Sequence, residues 1–357
     1  MFSRYHSCAK NWIRLGESAL KDYLPKARSS LRFQSRFCQT GKESISKETT
    51  LCLFESTLQN DALTFFAGGP IWASAWCPLE GAKNEQVIAL FAEQTFDSEA
   101  FIRPAKETVM GHLKSLIQLW TFRKSKNSTD LPVFSMGIAH DFGRIRSLQW
   151  CPSGGQSDNE GGLPRLGLLA AGCEDGTVRI FPVPQFESLP NQSSSFNVYQ
   201  CHDAVVTLRR PDDGLDSDGQ LSACVKVVWF RGRRHRTIAA TFSDGHVALW
   251  DLDTTSSLLR DDEYRSIFPY KFFRAHLRNN QTFLDLSSEA DESGFPLHLV
   301  TGSTDRMFTS WDLASVGDIP VRESRRLLIT DVTWLDHFPG NVIVSHDDSC
   351  LQSNTRY

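Results

Sequence analysis

An all-β fold built from a repeated four-strand unit is what this sequence predicts, on three observations. Four apolar stretches end in an aromatic residue followed by a polar or turn residue: SLIQLWTF near Trp120, GTVRIFPV near Phe181, GHVALWDL near Trp250 and RMFTSWDL near Trp311. Asp175, Asp244 and Asp305 each stand six residues before the aromatic of their own unit, Phe181, Trp250 or Trp311. A further tryptophan recurs upstream, in WASAWCP, RIRSLQWCPSG and VKVVWFRG, as Trp76, Trp150 and Trp229. Because side chains alternate along a strand, a one-residue slip in any unit would turn its aromatic to the opposite face. Three identical offsets therefore point to one repeated sheet.

The chain opens on a basic lead, with ten Lys/Arg against four Asp/Glu in its first 50 residues and 28 against 38 in the rest. Arg4, His6, Lys10 and Arg14 precede the first acid, Glu17, as in a mitochondrial presequence. Glu17 and Asp22 soon interrupt that pattern, and Pro25 breaks any longer helix. Residues 1–53 are expected to be a poorly ordered arm or linker, with a nucleic-acid or acidic-partner contact as the sharper alternative.

The first unit joins WASAWCP to SLIQLW and has Lys114 where its siblings have the turn Asp. In the second, third and fourth units, LGLLAAGCEDG, TIAATFSDG and LHLVTGSTDR supply a β-rich strand and then a polar turn. A His-bearing segment precedes or lies between units, at His140, His202 and His276. A fifth unit begins in TDVTWLDHFPGNVIVSHDDS, and the sequence stops at Tyr357 before its outer strands. Aromatic spacings of 61, 69 and 61 exceed the roughly 40–45 residues of a compact unit. Residues 92–112, 153–165, 208–222 and 254–268 are polar or turn-rich and suit insertions.

The order His, strand, strand, Asp turn, strand with terminal aromatic resembles the WD repeat, the four-stranded blade of a β-propeller. The resemblance implies a ring of four blades plus part of a fifth over residues 54–357, incomplete as it stands, as in a truncated gene product or a fragment of a longer chain. It also implies a polar network in which a blade-edge His bonds the turn Asp, a strand Ser or Thr and the Trp indole, so that buried polar groups satisfy one another. In the fourth unit the candidates are His276, Ser303, Asp305 and Trp311. The third offers His202, Asp244 and Trp250, with Phe242 in the Ser position. The second offers His140 and Asp175, with Cys173 and Phe181 substituted.

More specific wording narrows the family. FAGGPIWASAWCPL at 66–79, MGIAHDFGRIRSLQWCPSG at 136–154, LPRLGLLAAGCEDGTVRIFPVP at 163–184 and LHLVTGSTDRMFTSWDL at 297–313 resemble, in order, the WD-repeat subunit of TFIIIC, the general factor of RNA polymerase III. That resemblance implies a nuclear, non-enzymatic scaffold. Its partners would be a second propeller subunit and the largest, DNA-contacting subunit, with DNA met mainly through the complex. The acidic body agrees with protein docking more than with primary DNA reading. An unrelated WD adaptor, cytoplasmic or a ubiquitin-ligase receptor, is the alternative.

Arg231, Arg233, Arg234 and Arg236 in RGRRHR form the one candidate contact for phosphate or an acidic partner, against the plainer reading of a solvated loop. The acidic run Asp212, Asp213, Asp216 and Asp218 lies nearby in sequence. The simplest signatures of phosphate cradles, dinucleotide folds, hydrolase elbows and zincin sites do not occur, so neither catalysis nor a cofactor is expected. Nine cysteines without a C-x-x-C pair fit free thiols, and Cys77 and Cys151, each in W-C-P, read as packing residues. His346, Asp347 and Asp348 are weak as calcium ligands. No apolar run approaches a membrane span, so the chain is expected to be soluble.

Overall fold

The computed structural model describes residues 5, 8–34, 36–39, 42–45, 48–59, 62–79, 84–93, 113–123, 130–157, 162–189, 196–201, 205–212, 214–215, 221–277, 281–314, 321–338, 340–348 and 351–355. The lead contributes β1 (Trp12–Arg14), α1 (Glu17–Tyr23) and the hairpin β2–β3 (Arg36–Gln39, Lys42–Ile45), and a second hairpin, β4–β5 (Ser56–Gln59, Ala62–Phe65), follows it. A meander then repeats. Its first turn is β6 (Ile71–Trp76), β7 (Glu85–Ala92), β8 (Ser115–Arg123) and β9 (Val133–His140). The second is β10 (Ile145–Trp150), β11 (Arg165–Cys173) and β12 (Val178–Pro184), followed by β13 (Val198–Cys201) and β14 (Val206–Leu208). The third is β15 (Cys224–Trp229), β16 (Thr237–Phe242) and β17 (His246–Asp251), then short β18 (Arg260–Asp261) and β19 (Ser266–Ile267), then β20 (Lys271–Arg274). The fourth is β21 (Thr282–Leu286), β22 (His298–Ser303), β23 (Met307–Asp312) and β24 (Val321–Ser324). The last comprises β25 (Ile329–Trp334), β26 (Asn341–His346) and β27 (Leu351–Thr355).

Register makes the repeat physical. Trp120, Phe181, Trp250 and Trp311 lie opposite Ile88, Leu169, Ile238 and Leu299, and these lie opposite Trp76, Trp150, Trp229 and Leu286. The predicted aromatics thus occupy one rung of each sheet. Four of the five first strands also slip register at the same place, beside Ile71, Ile145, Cys224 and Ile329. Such a bulge re-aims the residue it inserts and steepens the local twist.

Each first strand packs against its neighbours in the series β6, β10, β15, β21, β25, and all five line one cavity of about 540 Å³. Close approach at these junctions needs small residues. A Cβ on Gly172 would come within 2.8 Å of Cys224 Sγ and Val227 Cγ2, and one on Gly302 within 2.7 Å of Ile329 and Val332 side chains. Gly172 and Gly302 hold the same rung of the second strands of the second and fourth sheets.

Two insertions have a common use. Between β12 and β14 the chain reaches back as β13, which lies parallel to β9 at the outer edge of the first sheet. Between β17 and β20 it reaches back as β19, parallel to β14 at the outer edge of the second sheet. Each loan covers an edge that would otherwise offer unpaired backbone groups. Residues 254–268 are thereby accounted for in part; most of 92–112 lies outside the described residues.

Tyr5 and the segment from β1 through α1 are docked, which corrects the expectation of a poorly ordered arm for that part of the lead. β1 pairs with β13, Trp12 is buried, and Tyr5 donates from its hydroxyl to Leu252 O at 2.9 Å while Arg165 donates to Tyr5 O. α1 ends at Tyr23 before Pro25, and its Leu20 and Tyr23 join a cluster with Leu53, Phe54 and Trp120. Burial of these apolar residues supplies the driving force that the basic composition concealed. Gly302→Val should overpack the fourth junction and cost about 1–3 kcal/mol. A chemical-denaturation midpoint equal to that of the unaltered chain would contradict this packing.

Candidate functional site

In the fourth unit the structure brings His276, Asp305 and Trp311 of the expected network together around Thr301. His276 Nδ1 lies 3.1 Å from Asp305 Oδ2, and His276 Nε2 lies 2.8 Å from Thr301 Oγ1. Trp311 donates its indole N–H to Thr301 Oγ1 at 2.9 Å. A carboxylate only accepts, so Nδ1 carries a proton, and in the neutral ring Thr301 donates to Nε2. The relay runs Trp311, Thr301, His276, Asp305. Ser303, the expected strand hydroxyl, instead accepts from the Asp305 main-chain N–H at 3.4 Å. Trp311 lies opposite Leu299, which makes Thr301 its diagonal neighbour and leaves Ser303 two residues too far along β22.

The other units satisfy their turn acids differently. Asp244 accepts from Arg210 Nη2 at 2.7 Å and lies 3.0 Å from His246 Nδ1. Burial pushes its carboxyl up, but the bonds from His246 and Arg210 outweigh this and hold it well below the ordinary range. His202 lies outside the described residues. Trp250 donates to Arg209 O at 2.9 Å. Phe242, lacking a hydroxyl, carries the Arg210 guanidinium 4.7 Å above its ring. In the second unit Asp175 accepts from Thr177 and Arg179, while His140 stacks on Phe142 at 5.4 Å. His140 Nε2 has no hydrogen-bond partner among the described residues. Phe181 has no indole N–H and Ala171 stands on the rung of Thr301, so a relay has neither start nor middle. In the first unit Trp120 donates to Gln118 Oε1 at 3.0 Å, and Lys114 pairs with Asp22 of α1 at 2.6 Å.

The four arginines of RGRRHR do not form one patch. Arg231 bonds Asp285 at 2.8 Å and Asp336 at 3.1 Å. Arg236 bonds Asp251 through Nε at 2.8 Å and lies 4.4 Å above Phe295. Arg234 is exposed, with a left-handed φ of 70°. The side chain of Arg233 lies outside the described residues. Two of the four charges are thus held within the fold. Of the acids near them in sequence, Asp212 pairs with Arg210, and Asp213, Asp216 and Asp218 lie outside the described residues.

Sequence reasoning missed the residues that join the sheets. Ser147 and Gln149 accept from the main-chain N–H groups of Val227 and Trp229 at 3.0 and 2.8 Å. Asp285, on the rung of Gln149, accepts from Trp334 N at 2.8 Å and from Thr333 Oγ1 at 3.1 Å. Burial pushes the Asp285 carboxyl up, against the pull of Arg231 and two main-chain N–H groups. Lys226 reaches Asp331 at 2.9 Å across the cavity. The available signal was a polar residue one place before the end of an apolar first strand, as in SLQW and TFLDL. The cavity's named polar groups therefore work as struts between sheets.

Other candidates resolve simply. Cys77 and Cys151 are buried, and burial pushes the Cys77 thiol up to about 12 and the Cys151 thiol up as well, so neither is a ready thiolate. His346 is buried while Asp347 and Asp348 are exposed, so the three do not converge. Among the described residues no three His, Cys, Asp or Glu side chains gather as a metal would require.

Residues 132–181, from the start of β9 through the second unit's Asp turn and into β12, match the family model "WD domain, G-beta repeat". The chain is 30% identical to general transcription factor 3C polypeptide 2 of Homo sapiens over 99% of its own length and 39% of the relative's. The same figures hold for general transcription factor 3C polypeptide 2 of Pongo abelii. Transcription factor tau subunit sfc6 of Schizosaccharomyces pombe is 24% identical over 85% of this chain and 45% of the relative. The chain thus spans about two-fifths of the length of the first two. The resemblance to the WD-repeat subunit of TFIIIC, drawn above from sequence blocks, holds along the whole chain.

Thr301→Val should leave Trp311 Nε1 and His276 Nε2 without their shared partner and cost about 1–3 kcal/mol, more than Ser303→Ala. Equal denaturation midpoints for the two variants would refute the relay as drawn. Burial pushes His140 down to about 3, whereas a histidine in the unfolded chain titrates near its ordinary value of about 6.5. Between those values the unfolded chain binds a proton that the folded chain refuses, so stability is full above the upper value and falls as pH drops. His140→Phe should remove about 2 kcal/mol of the loss between about pH 7 and about pH 5. Unfolding curves of both proteins at the two pH values check this.

Proposed function

From a sequence similar along nearly all its length to subunits of a general transcription factor, we propose that this chain is a non-enzymatic scaffold subunit of TFIIIC. In this reading it acts in the nucleus, supporting promoter recognition and RNA polymerase III transcription of transfer-RNA and 5S ribosomal RNA genes. Its partners are other TFIIIC subunits, a second propeller subunit and the largest, DNA-contacting one, and DNA is met mainly through them. The observation that carries the reading is the 30% identity over 99% of the chain. The relatives are named as transcription-factor subunits, and the acidic balance of residues 51–357, 28 Lys/Arg against 38 Asp/Glu, suits protein contacts better than a phosphate backbone.

The architecture that goes with this function is an incomplete WD propeller over residues 54–357, four blades and part of a fifth, with residues 1–53 as a basic lead. The matched WD repeat supports it, as do the common rungs of the sheets and the shared cavity along their first strands. That cavity is in keeping with a scaffold role, since its Asp285, Arg231, Lys226 and Asp331 are engaged with one another or with backbone.

Affinity purification of the tagged chain from nuclear extract at low salt should recover other TFIIIC subunits. Chromatin profiling should place it at transfer-RNA genes. Recovery of a cytoplasmic assembly or a ubiquitin ligase in their stead, with no occupancy at those genes, would favour the unrelated adaptor.

A further inference from the structure

The outer edges of the first three sheets carry the same row of main-chain groups and treat it differently. Gly137 of β9, Thr207 of β14 and Phe272 of β20 stand on one rung, opposite Gln118, Arg179 and Ala248 of the third strands. The Gly137 N–H is met by Asn197 O at 2.8 Å and the Thr207 N–H by Arg265 O at 3.0 Å, each just ahead of a back-reaching strand. Arg209, two places on, donates to Ile267 O at 2.9 Å. In the third sheet Ala275 donates to Gly245 O, so alternation along the ladder turns the N–H groups of Phe272 and Arg274 away from β17. β20 is the last strand of that sheet, and neither N–H has a partner among the described residues. The corresponding stretch of the fourth sheet, residues 313–320 between β23 and β24, is eight residues long, against twenty-one and nineteen for the two that reach back. Sheet three packs between sheets two and four, so this edge is internal to the series.

Side chains repeat the difference. Ile138, Leu208 and Phe273 share the next rung. Ile138 and Leu208 are fully buried beside Tyr199 and Ile267, their register partners on the back-reaching strands, which are buried themselves. Phe273 has no such neighbour and is half-buried, its ring 4.7 Å from that of Trp311. Trp311 is half-buried too, whereas Trp120, Phe181 and Trp250 are fully buried. Charge then narrows what suits the edge. Both charged residues of β20, Lys271 and Arg274, are basic, and Arg274 is exposed. Arg322 of β24 is exposed as well and lies opposite Thr309, on the face of β23 that carries Trp311. Glu323, the acid beside it, is on the other face and accepts from Arg325.

We propose that β20 is an acceptor edge for an extended acidic segment of a partner protein, added parallel to it as β13 is to β9 and β19 is to β14. Main-chain carbonyls of the partner take the N–H groups of Phe272 and Arg274. An apolar partner residue beside Phe273 stands where Tyr199 and Ile267 stand in the first two sheets, and it covers the Phe273 and Trp311 rings. Carboxylates on either side of that residue meet Arg274 and Arg322. Backbone bonds supply affinity in such an addition, and the alternating side chains supply the choice of partner. The order of the sheets is used here, and membership of a transcription factor is not.

The probes are a fluorescent peptide, DEDVYVDED, and a twin with lysine at every acidic position. In anisotropy titrations of the purified chain the acidic peptide should bind about tenfold or more tighter than its twin, and more weakly as salt rises. Arg274→Pro removes an outward N–H that the ladder to β17 does not use, and should lower the affinity about tenfold or more. Arg274→Gln keeps that N–H and loses only the charge, and should lower it about threefold. If Arg274→Pro does not fold, amide exchange of Phe272 and Arg274 in the unaltered chain serves the same arm, and it should slow when the peptide is added. An acidic peptide that does not bind, a twin that binds equally, a folded Arg274→Pro variant of full affinity, or exchange that does not slow would each overturn the proposal. Self-association of the chain that Arg274→Pro abolishes would assign the edge to a second copy and overturn it as well. None of these outcomes bears on recovery of TFIIIC subunits, so the two readings fail separately.

Discussion

The first strand of every sheet is also that sheet's edge, and this constraint governs the molecule. Its outward N–H groups have no ladder partner, yet the junctions bury them beside the cavity, where an unmet donor is costly. The solution is a side chain from the preceding sheet. Ser147 and Gln149 serve Val227 and Trp229, and Asp285 serves Trp334. Each acceptor also fixes the rotation of one sheet against the next, because a main-chain N–H can be met from one direction only. Gly172 and Gly302 then let the backbones come close enough for those bonds to form.

Much of this order was legible. The six-residue offset from Asp to aromatic marked β12, β17 and β23 and their shared rung, because strand alternation ties sequence spacing to the face presented. The terminal tryptophans of β6, β10 and β15 were legible for the same reason. Less visible was which hydroxyl answers Trp311. Thr301 and Ser303 share a face of β22, and only cross-strand register separates them. Asp285 and Gln149 were overlooked because their partners lie on another sheet, and no spacing within one unit records that neighbour. The lead misled through composition: its charges suggested a free arm, while Trp12, Leu20 and Tyr23 decide its packing.

Departures from the family pattern are compensated locally. In the other units Asp244 takes Arg210, Asp175 takes Arg179, and Trp120 takes Gln118. Each replacement meets the same requirement, that a buried carboxylate or indole N–H find a partner, with different chemistry. The requirement is what recurs from unit to unit, and residue identity follows it loosely. Residues 132–181, which span most of the second unit, match the WD repeat although Phe181 and Ala171 leave no relay there, so function has to be argued from relatives and surfaces.

The back-reaching strands β13 and β19 bear on how the molecule comes apart. An array in which each module touches only its neighbours through one interface can fray stepwise from either terminus. Here, freeing the first sheet's rim means pulling a segment out of the stretch between β12 and β14, and the second sheet's rim is tied likewise to the stretch between β17 and β20. Damage at one module is thereby transmitted to the next, and melting of the first three is expected to be a single cooperative event.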